Sequence, residues 1–346
     1  VLDAMCGGGV RATRYALEVP GVARAVAVDL DPASVAVARQ TVALSGATDA
    51  QVEVRQGDCA ALMRASPKAF QVVDLDPCGS PADFISAAIG ALQPGGLLCV
   101  ASTEDPALDL RLCARRYGGR CLPKSPPTCV RSVGAGLADE VKLRLLLKKI
   151  SDVATAHGRR AVPLLSLSLD FFRRCYVAIE DVASSPSGNP SEEWIAVAKE
   201  PVENSPAPPF RWLTKPPSAA DTTTAWIAGP LPLLPLHDPS FVSAVVEELD
   251  STPAKDMVSR PRLRALLEVA REEAVTGGAA PLAYNLRRVL PPPGPSSTDL
   301  ARAVQLLLSQ GHAAARCHGD DSSLKASCSL ADVITAVKKA QETPPL

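Results

Sequence analysis

The residue types that could activate an amine lie together in one short segment, Val73-Asp74-Leu75-Asp76-Pro77-Cys78-Gly79-Ser80-Pro81. An amine on an aromatic ring is a poor nucleophile because its lone pair is delocalised, and it becomes reactive when acceptors hold its hydrogens. The carboxylate of Asp76 and a carbonyl presented by the rigid Pro77 would orient such an amine and stabilise the developing charge. We predict catalytic roles for Asp76, Pro77 and Cys78, and a structural role for Asp74.

A glycine-rich turn near the start of the chain, Asp3-Ala4-Met5-Cys6-Gly7-Gly8-Gly9-Val10-Arg11-Ala12, predicts a cofactor site. Glycines between a strand and a helix let the backbone approach a ligand at the helix N-terminus. The spacing Gly7-x-Gly9-x-x-Ala12 is also that of dinucleotide-binding proteins, and Asp29 lies 20 residues past Gly9, where an acid would hold a ribose hydroxyl. These two features leave NAD and S-adenosylmethionine as alternatives.

Two further acids favour S-adenosylmethionine. Asp3 lies at the end of the first predicted strand, where it would contact the amino-acid portion of the cofactor and order the glycine loop. Asp58 follows the third predicted strand, where it would bind the adenine amino group with Cys59 beside the ring. Acids that end three successive strands would lie together at one edge of a parallel sheet. The cofactor-binding residues predicted from these patterns are Asp3, Gly7, Gly9, Asp29, Asp58 and Cys59.

Alternating strand and helix patterns predict an α/β fold that positions these residues. The predicted strands are Val1–Met5, Ala23–Asp29, Gln51–Arg55, Gln71–Leu75, Gly96–Ser102, Ala161–Leu169 and Phe172–Ile179. The predicted helices are Arg11–Leu17, Pro32–Leu44, Cys59–Ala65, Pro81–Ala91 and Asp139–Thr155. This order is typical of a Rossmann-like sheet, which binds ligands at the carboxyl ends of its strands.

A chain of 346 residues is longer than one hydrophobic core usually serves, so we expect two domains. Residues 184–218 are rich in Pro and Ser, which is typical of a connection. We predict a first domain over 1–182, a connection over 183–224 and a second domain over 225–346. The second is expected to be smaller, mainly helical and winged-helix-like, with helices at 240–249, 260–273, 299–310 and 330–341 and strands near 313–317 and 324–326.

Composition and charge narrow the possible partners. Hydrophobic residues make up 47% and charged residues 21% of the chain, which excludes wholesale disorder. The net charge of -1 conceals a basic segment over residues 111–180, with 14 Lys and Arg against 5 Asp and Glu. A basic segment between acidic flanks is what a polyanion-binding face requires, although ordinary solvated helix faces are an equal alternative. The candidate contacts are Arg115, Arg116, Arg120, Lys148, Lys149, Arg159, Arg160, Arg173 and Arg174, extended by Arg260, Arg262, Arg264, Arg287 and Arg288.

Motifs along nearly the whole chain resemble the tRNA guanine-26 N2-dimethyltransferases. The segment Asp76-Pro77-Cys78 is similar to the loop of methyltransferases that act on exocyclic amines. The motifs shared with the family include Val1-Leu2-Asp3-Ala4, Gly9-Val10-Arg11, Asp74-Leu75-Asp76-Pro77, Gly79-Ser80-Pro81, Gly95-Gly96-Leu97-Leu98-Cys99-Val100, Arg115-Arg116-Tyr117-Gly118, Pro163-Leu164-Leu165-Ser166, Gly229-Pro230-Leu231, Tyr284-Asn285-Leu286, Leu290-Pro291-Pro292-Pro293 and Gly311-His312-Ala313-Ala314. The resemblance implies S-adenosylmethionine contacts at Arg11, Asp29, Asp58 and Cys59. It also implies mono- and then dimethylation of a guanine amine in tRNA.

Three departures from the family pattern matter. The family has an aromatic residue in the loop where this chain has Cys78, and an aromatic ring there could stack on the target base. A segment upstream of the first strand, with a cofactor-binding Arg, is expected to be missing, so the chain is interpreted as N-terminally truncated. Many members carry a four-cysteine zinc site in the central region, but residues 184–226 contain no cysteine and the ten cysteines form no CxxC pair. We therefore predict no metal.

The predicted function is S-adenosylmethionine-dependent N2-methylation of guanosine 26 in tRNA. Two alternatives remain open: a tRNA-binding homologue without catalytic activity, suggested by Cys78, and an NAD-dependent oxidoreductase, suggested by the glycine spacing. No window of about 18 uncharged apolar residues occurs. We therefore expect no membrane association, an intracellular monomer, and a nucleus or an organelle as possible locations.

Overall fold

The computed structural model describes residues 1–104, 113–122, 135–182, 192–198, 210–216, 224–252, 257–276 and 283–342. Contacts group the chain into two compact units. The first comprises Val1–Glu104, Lys149–Val162 and Asp170–Asn189, and the second comprises Asp105–Lys148, Pro163–Leu169 and Pro190–Leu346. Residues 105–148 and 163–169 thus belong to the second unit by contacts, although the sequence predicts a first domain over 1–182 that includes them. The limits of the two domains stay a prediction.

A seven-stranded sheet forms the framework of the candidate site. Its strands are β1 Leu2–Asp3, β2 Ala25–Asp29, β3 Val52–Gln56, β4 Phe70–Leu75, β5 Leu92–Ser102, β7 Arg159–Leu169 and β8 Phe172–Asp181. Their order is β3-β2-β1-β4-β5-β8-β7. The first five strands are parallel, and β8 runs antiparallel to β5. This topology confirms the predicted Rossmann-like sheet and brings the carboxyl ends of β1 to β5 to one edge.

Four helices connect the parallel strands: α1 Val10–Glu18, α2 Pro32–Ser45, α3 Cys59–Ala65 and α4 Ile85–Ala91. Their starts follow local chemistry. Asp31 caps α2 by accepting the N–H groups of Ala33 and Ser34, with Pro32 as the first helical residue. The helix α4 begins later than the predicted Pro81, because residues 81–84 form a turn in which the Phe84 N–H bonds the Pro81 carbonyl. Apolar side chains of α2 and β2, such as Val42 and Ala27, pack into a buried core.

The second unit contains more β structure than predicted. It includes the sheet β10-β9-β11-β6 and the sheet β12-β14-β13. Their strands are β6 Arg120–Leu122, β9 Glu192–Ala198, β10 Phe210–Leu213, β11 Thr224–Pro232, β12 Ala283–Asn285, β13 Ala314–Cys317 and β14 Asp320–Ala326. Two of these strands, β9 and β10, lie within the predicted connection 183–224, where no strand was predicted. Pro-rich flanks concealed the apolar run Trp194-Ile195-Ala196-Val197, which has strong strand propensity.

Helices complete the described residues. Five follow the predicted helical character of the C-terminal region: α6 Pro239–Ser251, α7 Arg260–Val275, α8 Leu286–Val289, α9 Ser297–Ser309 and α10 Leu330–Glu342. Upstream of them lie a short π-helix, Cys113–Tyr117, and the long helix α5, Ala135–Ala156. Across the described ranges, none of the helices has both the length and the apolar character that crossing a membrane requires.

Candidate active site

The glycine loop between β1 and α1 is held open by the end of β2. Gly7 and Gly9 have φ angles of 49° and 72°, in the left-handed region that favours glycine. A Cβ on Gly9 would lie 2.8 Å from the Cβ of Ala38. The Gly7 N–H donates to Oδ2 of Asp29 over 2.8 Å. Asp29 therefore holds the loop through this bond, and it ends β2, where a ribose hydroxyl was predicted to bind. The predicted role of Asp3 in ordering the loop stays a prediction.

Asp3 lies at the end of β1 with only 1% of its surface exposed. Neither carboxylate oxygen has a hydrogen-bond partner of normal geometry. Burial, and next the charge of Asp74, raise the pKa of Asp3 to about 6. The charge of Arg11 and the Ala12 N–H act in the opposite direction but do not outweigh burial. A buried carboxylate that lacks well-formed hydrogen bonds is costly in free energy unless a ligand satisfies it. Asp3 is therefore poised for a cationic or hydrogen-bond-donating group.

Asp74 and Asp76 are joined through arginine side chains at the end of β4. Asp74 is fully buried, and its Oδ2 accepts hydrogen bonds from Tyr15 Oη at 2.6 Å and Arg174 Nη2 at 2.7 Å. Arg11 spans the two acids: its Nη1 lies 3.4 Å from Asp74 Oδ1, and its Nη2 bonds Asp76 Oδ2. Asp74 thus fixes the arginine that contacts the predicted catalytic carboxylate.

A cavity of about 600 Å³ opens beside these residues. Its lining includes Asp3, Gly7, Gly8, Arg11 and Asp76. The buried Asp3, the glycine loop and the partly exposed Asp76 therefore face one space that could hold a ligand of cofactor size. Asp29 and Asp58 are not among the described residues that line it.

The loop that follows Asp76 is anchored to the neighbouring strand. Thr103 donates its N–H to the Gly79 carbonyl over 3.1 Å, and the Gly79 N–H donates to Oγ1 of Thr103 over 2.8 Å. These paired bonds extend the contact between β4 and β5 beyond Leu75. They fix the backbone of the loop, so the Pro77 carbonyl and the Asp76 side chain are held by the sheet rather than by a free loop. Cys78 is exposed at the tip.

A profile of the TRM family, described as N2,N2-dimethylguanosine tRNA methyltransferase, matches residues 1–338. This chain belongs to that family. It is 31% identical over 307 residues to the human tRNA (guanine(26)-N(2))-dimethyltransferase, covering 83% of this chain and 44% of the relative. For the Aeropyrum pernix protein of the same name, identity is 27% over 344 residues, covering 97% of this chain and 81% of that relative. The chain thus spans less than half the length of the human protein.

A solved structure extends the likeness to the fold. Trm1 from Pyrococcus horikoshii, in complex with S-adenosyl-L-methionine, superposes with a TM-score of 0.75 at 22% identity. The superposition covers 97% of this chain and 87% of that one. The antiparallel β8 next to β5 also differs from the parallel order 3-2-1-4-5-6 that is typical of the sheet in the oxidoreductase alternative.

In this TRM family member, the predicted adenine-binding residues Asp58 and Cys59 follow β3, which pairs with β2. Asp58 caps α3 by accepting the Ala60 N–H at 2.8 Å, and its side chain remains about half exposed. Cys59 is buried, and burial, followed by the charge of Asp58, raises the pKa of its thiol to about 11. The Gly57 N–H bonds the Asp29 carbonyl, which places this turn beside Asp29. The roles of Asp58 and Cys59 in cofactor binding stay predictions.

The structure corrects the predicted basic face. Several of its members are buried and serve internal contacts. Arg159 donates to the carbonyls of Ile89 and Leu92, and Arg174 to Asp74. Lys148 pairs with Glu192, and Arg173 is also buried. These four cannot follow a phosphate backbone, since their side chains are buried within the protein.

The remaining basic candidates are more accessible. Arg115, Arg120 and Arg262 are exposed, and Arg116 and Lys149 are partly so. Others already have acidic neighbours: Arg160 pairs with Glu180, Arg264 with Asp250 and Arg287 with Asp321, while Arg260 bonds backbone carbonyls. The side chain of Arg288 lies outside the described residues. The number of basic residues in the sequence therefore overestimates how many are free to contact a nucleic acid.

One cluster in the second unit has the composition of a metal site. Ligand atoms of His237, Glu273 and His318 lie within 4.8 Å of one another. However, His237 Nδ1 accepts the Ser166 N–H at 3.4 Å and His318 Nε2 accepts the Ser168 N–H at 3.1 Å. Each ring therefore carries its proton on the nitrogen that faces Glu273, where a metal would require a lone pair.

The Lys325 ammonium adds a positive charge 3.4 Å from Glu273 Oε2. These contacts favour a hydrogen-bonded network over a metal centre, and the absence of a metal stays a prediction. The local sequence around the histidines gave no sign of this cluster, whose members come from separate elements.

Proposed function

We propose that this protein transfers methyl groups from S-adenosylmethionine to N2 of guanosine at position 26 of tRNA. The observation that carries the proposal is the common cavity: Asp76, at the end of β4, faces the same space as the glycine loop and Asp3. Membership in the TRM family supports the reaction type. The names of the mouse and human relatives support the base and its position.

The residues present fit the cofactor. Asp3 offers carboxylate oxygens that lack well-formed hydrogen bonds to the ammonium of the cofactor's amino-acid portion, and Arg11 offers a guanidinium to its carboxylate. Gly7 and Gly9 allow the backbone to approach it closely, and Asp29 lies at the end of β2 for a ribose hydroxyl. When bound, S-adenosylmethionine supplies an electrophilic methyl group on a sulfonium.

Asp76 and Pro77 act on the guanine amine. The Asp76 carboxylate and the Pro77 carbonyl accept the two N2 hydrogens and direct the nitrogen toward the methyl carbon. As the nitrogen–carbon bond forms and the sulfur–carbon bond breaks, positive charge develops on N2, and the carboxylate stabilises it. The surplus proton passes from N2 to Asp76 or to water. The bonds between Gly79 and Thr103 keep both acceptors in place.

We propose that one methyl group is added and then a second, and that the C-terminal region 225–346 engages the tRNA. We further propose that the protein acts as a monomer inside the cell, in the nucleus or in an organelle.

Transfer of tritium from labelled S-adenosylmethionine tests the proposal. The substrates are two tRNA transcripts that differ only in carrying G or A at position 26. The proposal expects label in the G26 transcript alone, with mass spectrometry of the digested nucleosides showing N2-methylguanosine and then N2,N2-dimethylguanosine. Equal incorporation into both transcripts, or into neither, would contradict it.

The exposed Cys78 sustains one second candidate, a homologue that binds tRNA without methylating it. Such a protein would retain G26 tRNA in a filter-binding assay while transferring no label. Introducing an aromatic ring by Cys78→Phe would then restore transfer if the missing ring were the cause.

A further inference from the structure

The loop that holds the two acceptors has no flat surface for a nucleobase. Beyond Asp76 and Pro77 it continues as Cys78-Gly79-Ser80-Pro81, without an aromatic residue. Enzymes that act on a base outside its stack commonly hold it between aromatic or apolar side chains. If the target guanine is held flat at this edge of the sheet, the surface must come from another element.

Phe171 is an exposed aromatic residue at the turn between β7 and β8. Its relative exposure is 72%, and it is the only exposed Phe, Tyr or Trp among the residues whose side chains the structure describes. The Phe172 ring lies edge-on to it, with the ring centroids 5.7 Å apart and an angle of 65°. This contact restricts the orientation of the Phe171 ring while leaving most of its surface open to a partner.

The sheet register places this turn at the same edge as residues 76–81, which we call the catalytic loop. Ser102, the last residue of β5, pairs with Arg173 of β8, and the next residue of the chain, Thr103, bonds Gly79 in the loop. The loop and the start of β8 therefore lie on either side of the end of β5. Adjacent strands are about 4.8 Å apart, so the loop and the turn are separated by about 10 Å, a gap that a nucleobase can bridge.

We propose that Phe171 stacks on the target nucleobase while Asp76 and Pro77 hold its amine. This inference rests on the proposed function and adds a base-positioning residue to it. Stacking is tolerant of base identity because every base has a π face, so Phe171 supplies affinity and orientation, and the acceptors recognise the amine.

The test measures kcat and KM for G26 tRNA with wild-type protein and three variants at one position. Phe171→Ala is expected to lower kcat/KM by between about 5-fold and about 150-fold, the range equivalent to losing one base–aromatic stack. Phe171→Tyr keeps the planar ring and is expected to stay within about twofold of wild type. Phe171→Leu keeps an apolar side chain without a planar face, so a loss close to that of Phe171→Ala is expected.

Leu44→Ala is the matched control, because Leu44 is also an exposed apolar residue, at 88%, on the helix α2. Its kcat/KM should equal that of wild type. The affinity for S-adenosylhomocysteine, measured by calorimetry, should be unchanged in every variant, which separates base stacking from damage to the cofactor site.

A combined variant sharpens the result. Cys78→Phe places a ring in the catalytic loop at the same edge, and in the Phe171→Ala background it is expected to recover at least part of the lost kcat/KM. Phe171→Ala with the kcat/KM of the Leu44→Ala control would overturn the inference while leaving the proposed function intact. A wild-type protein without any transfer would instead overturn the proposed function.

Discussion

Two buried carboxylates of this protein, Glu273 and Asp3, differ in their hydrogen bonding. In the second unit, Glu273 accepts hydrogen bonds from His237, from the Nδ1 and backbone N–H of His318, and from Lys325. In the first unit, Asp3 is equally buried, yet its oxygens accept no hydrogen bond of normal geometry. A fully bonded carboxylate holds elements together, whereas an unsatisfied one facing a cavity lowers stability and awaits a ligand.

Their pKa values follow the same contrast. Burial opposes the ionisation of Glu273, but His318, Lys325 and His237 outweigh it and hold the pKa well below 4.5. For Asp3, burial and the charge of Asp74 raise the pKa to about 6. The stability of the fold therefore depends on the charge of Glu273 and is reduced by the charge of Asp3.

The largest expected effect tests the bonded carboxylate. Glu273→Ala removes the acceptor of two imidazoles and one partner of the buried Lys325, which then retains Glu140 as its acidic partner. Removing one member of a buried ion network typically costs about 3–5 kcal/mol, so the free energy of unfolding should fall by about that amount in urea titrations. The neighbouring Glu272→Ala, which breaks a partly exposed pair with Arg316, should cost under about 1 kcal/mol. Equal losses in both variants would remove the contrast.

The substitution Asp3→Asn is expected to act in the opposite direction. A pKa raised from 3.8 to about 6 corresponds to a free-energy cost of at most about 3 kcal/mol at neutral pH, which the neutral amide avoids. The variant should therefore unfold at a higher temperature than wild type and bind S-adenosylmethionine more weakly in calorimetry. A destabilised variant with normal binding would show that Asp3 is an ordinary core residue.

Lowering the pH should change the contributions of Asp3 and Glu273 to stability in opposite directions. Because the pKa of Asp3 is higher in the folded state, the folded protein binds the proton first, and the cost from Asp3 disappears as the pH falls from about 6 to about 4. The stability difference between wild type and Asp3→Asn should shrink over that range. Glu273 has the opposite sign: its contribution is present above about pH 4.5 and is lost as the pH falls through its lowered folded-state pKa. Parallel pH profiles for Asp3→Asn and Glu273→Ala would contradict this assignment.

The smallest expected effect concerns the glycine loop. Gly9→Ala combines a φ of 72° with a Cβ only 2.8 Å from that of Ala38, and should cost about 1–3 kcal/mol. Gly21→Ala has a similar φ of 82° but nothing within 4 Å of its Cβ, so it should cost less. Thermal unfolding of both variants is the measurement. The difference between their losses of stability gives the part that comes from packing against α2. A Gly21→Ala loss as large as that of Gly9→Ala would assign the whole effect to φ.

Local sequence patterns predicted much of the first unit. The glycine turn, the cap at Asp31 and the acidic loop at Asp76 are defined by residues within a few positions of one another, so their chemistry can be read directly. The alternation of strands and helices then implied that Asp3, Asp29 and Asp58 lie at one edge of the sheet. The sheet topology confirmed that arrangement.

Long-range partners were beyond such patterns. Arg174 meets Asp74 across 100 positions of sequence, so the basic residues of β8 were interpreted as a nucleic-acid surface. Similarly, His237 and His318 are brought to Glu273 by separate elements. The strand signal in Glu192–Ala198 was concealed by its Pro-rich flanks. A pair of arginines within an otherwise apolar strand was the available signal that a buried acid needed a partner.

The central claim is that Asp76 orients a guanine amine at the cavity beside the glycine loop. Single-turnover methyl transfer by Asp76→Ala tests it most directly, with the exposed nearby acid variant Asp83→Ala as a control. The account predicts a loss of about 100-fold or more for Asp76→Ala, unweakened binding of S-adenosylhomocysteine, and wild-type transfer by Asp83→Ala. Wild-type transfer by Asp76→Ala would contradict the account.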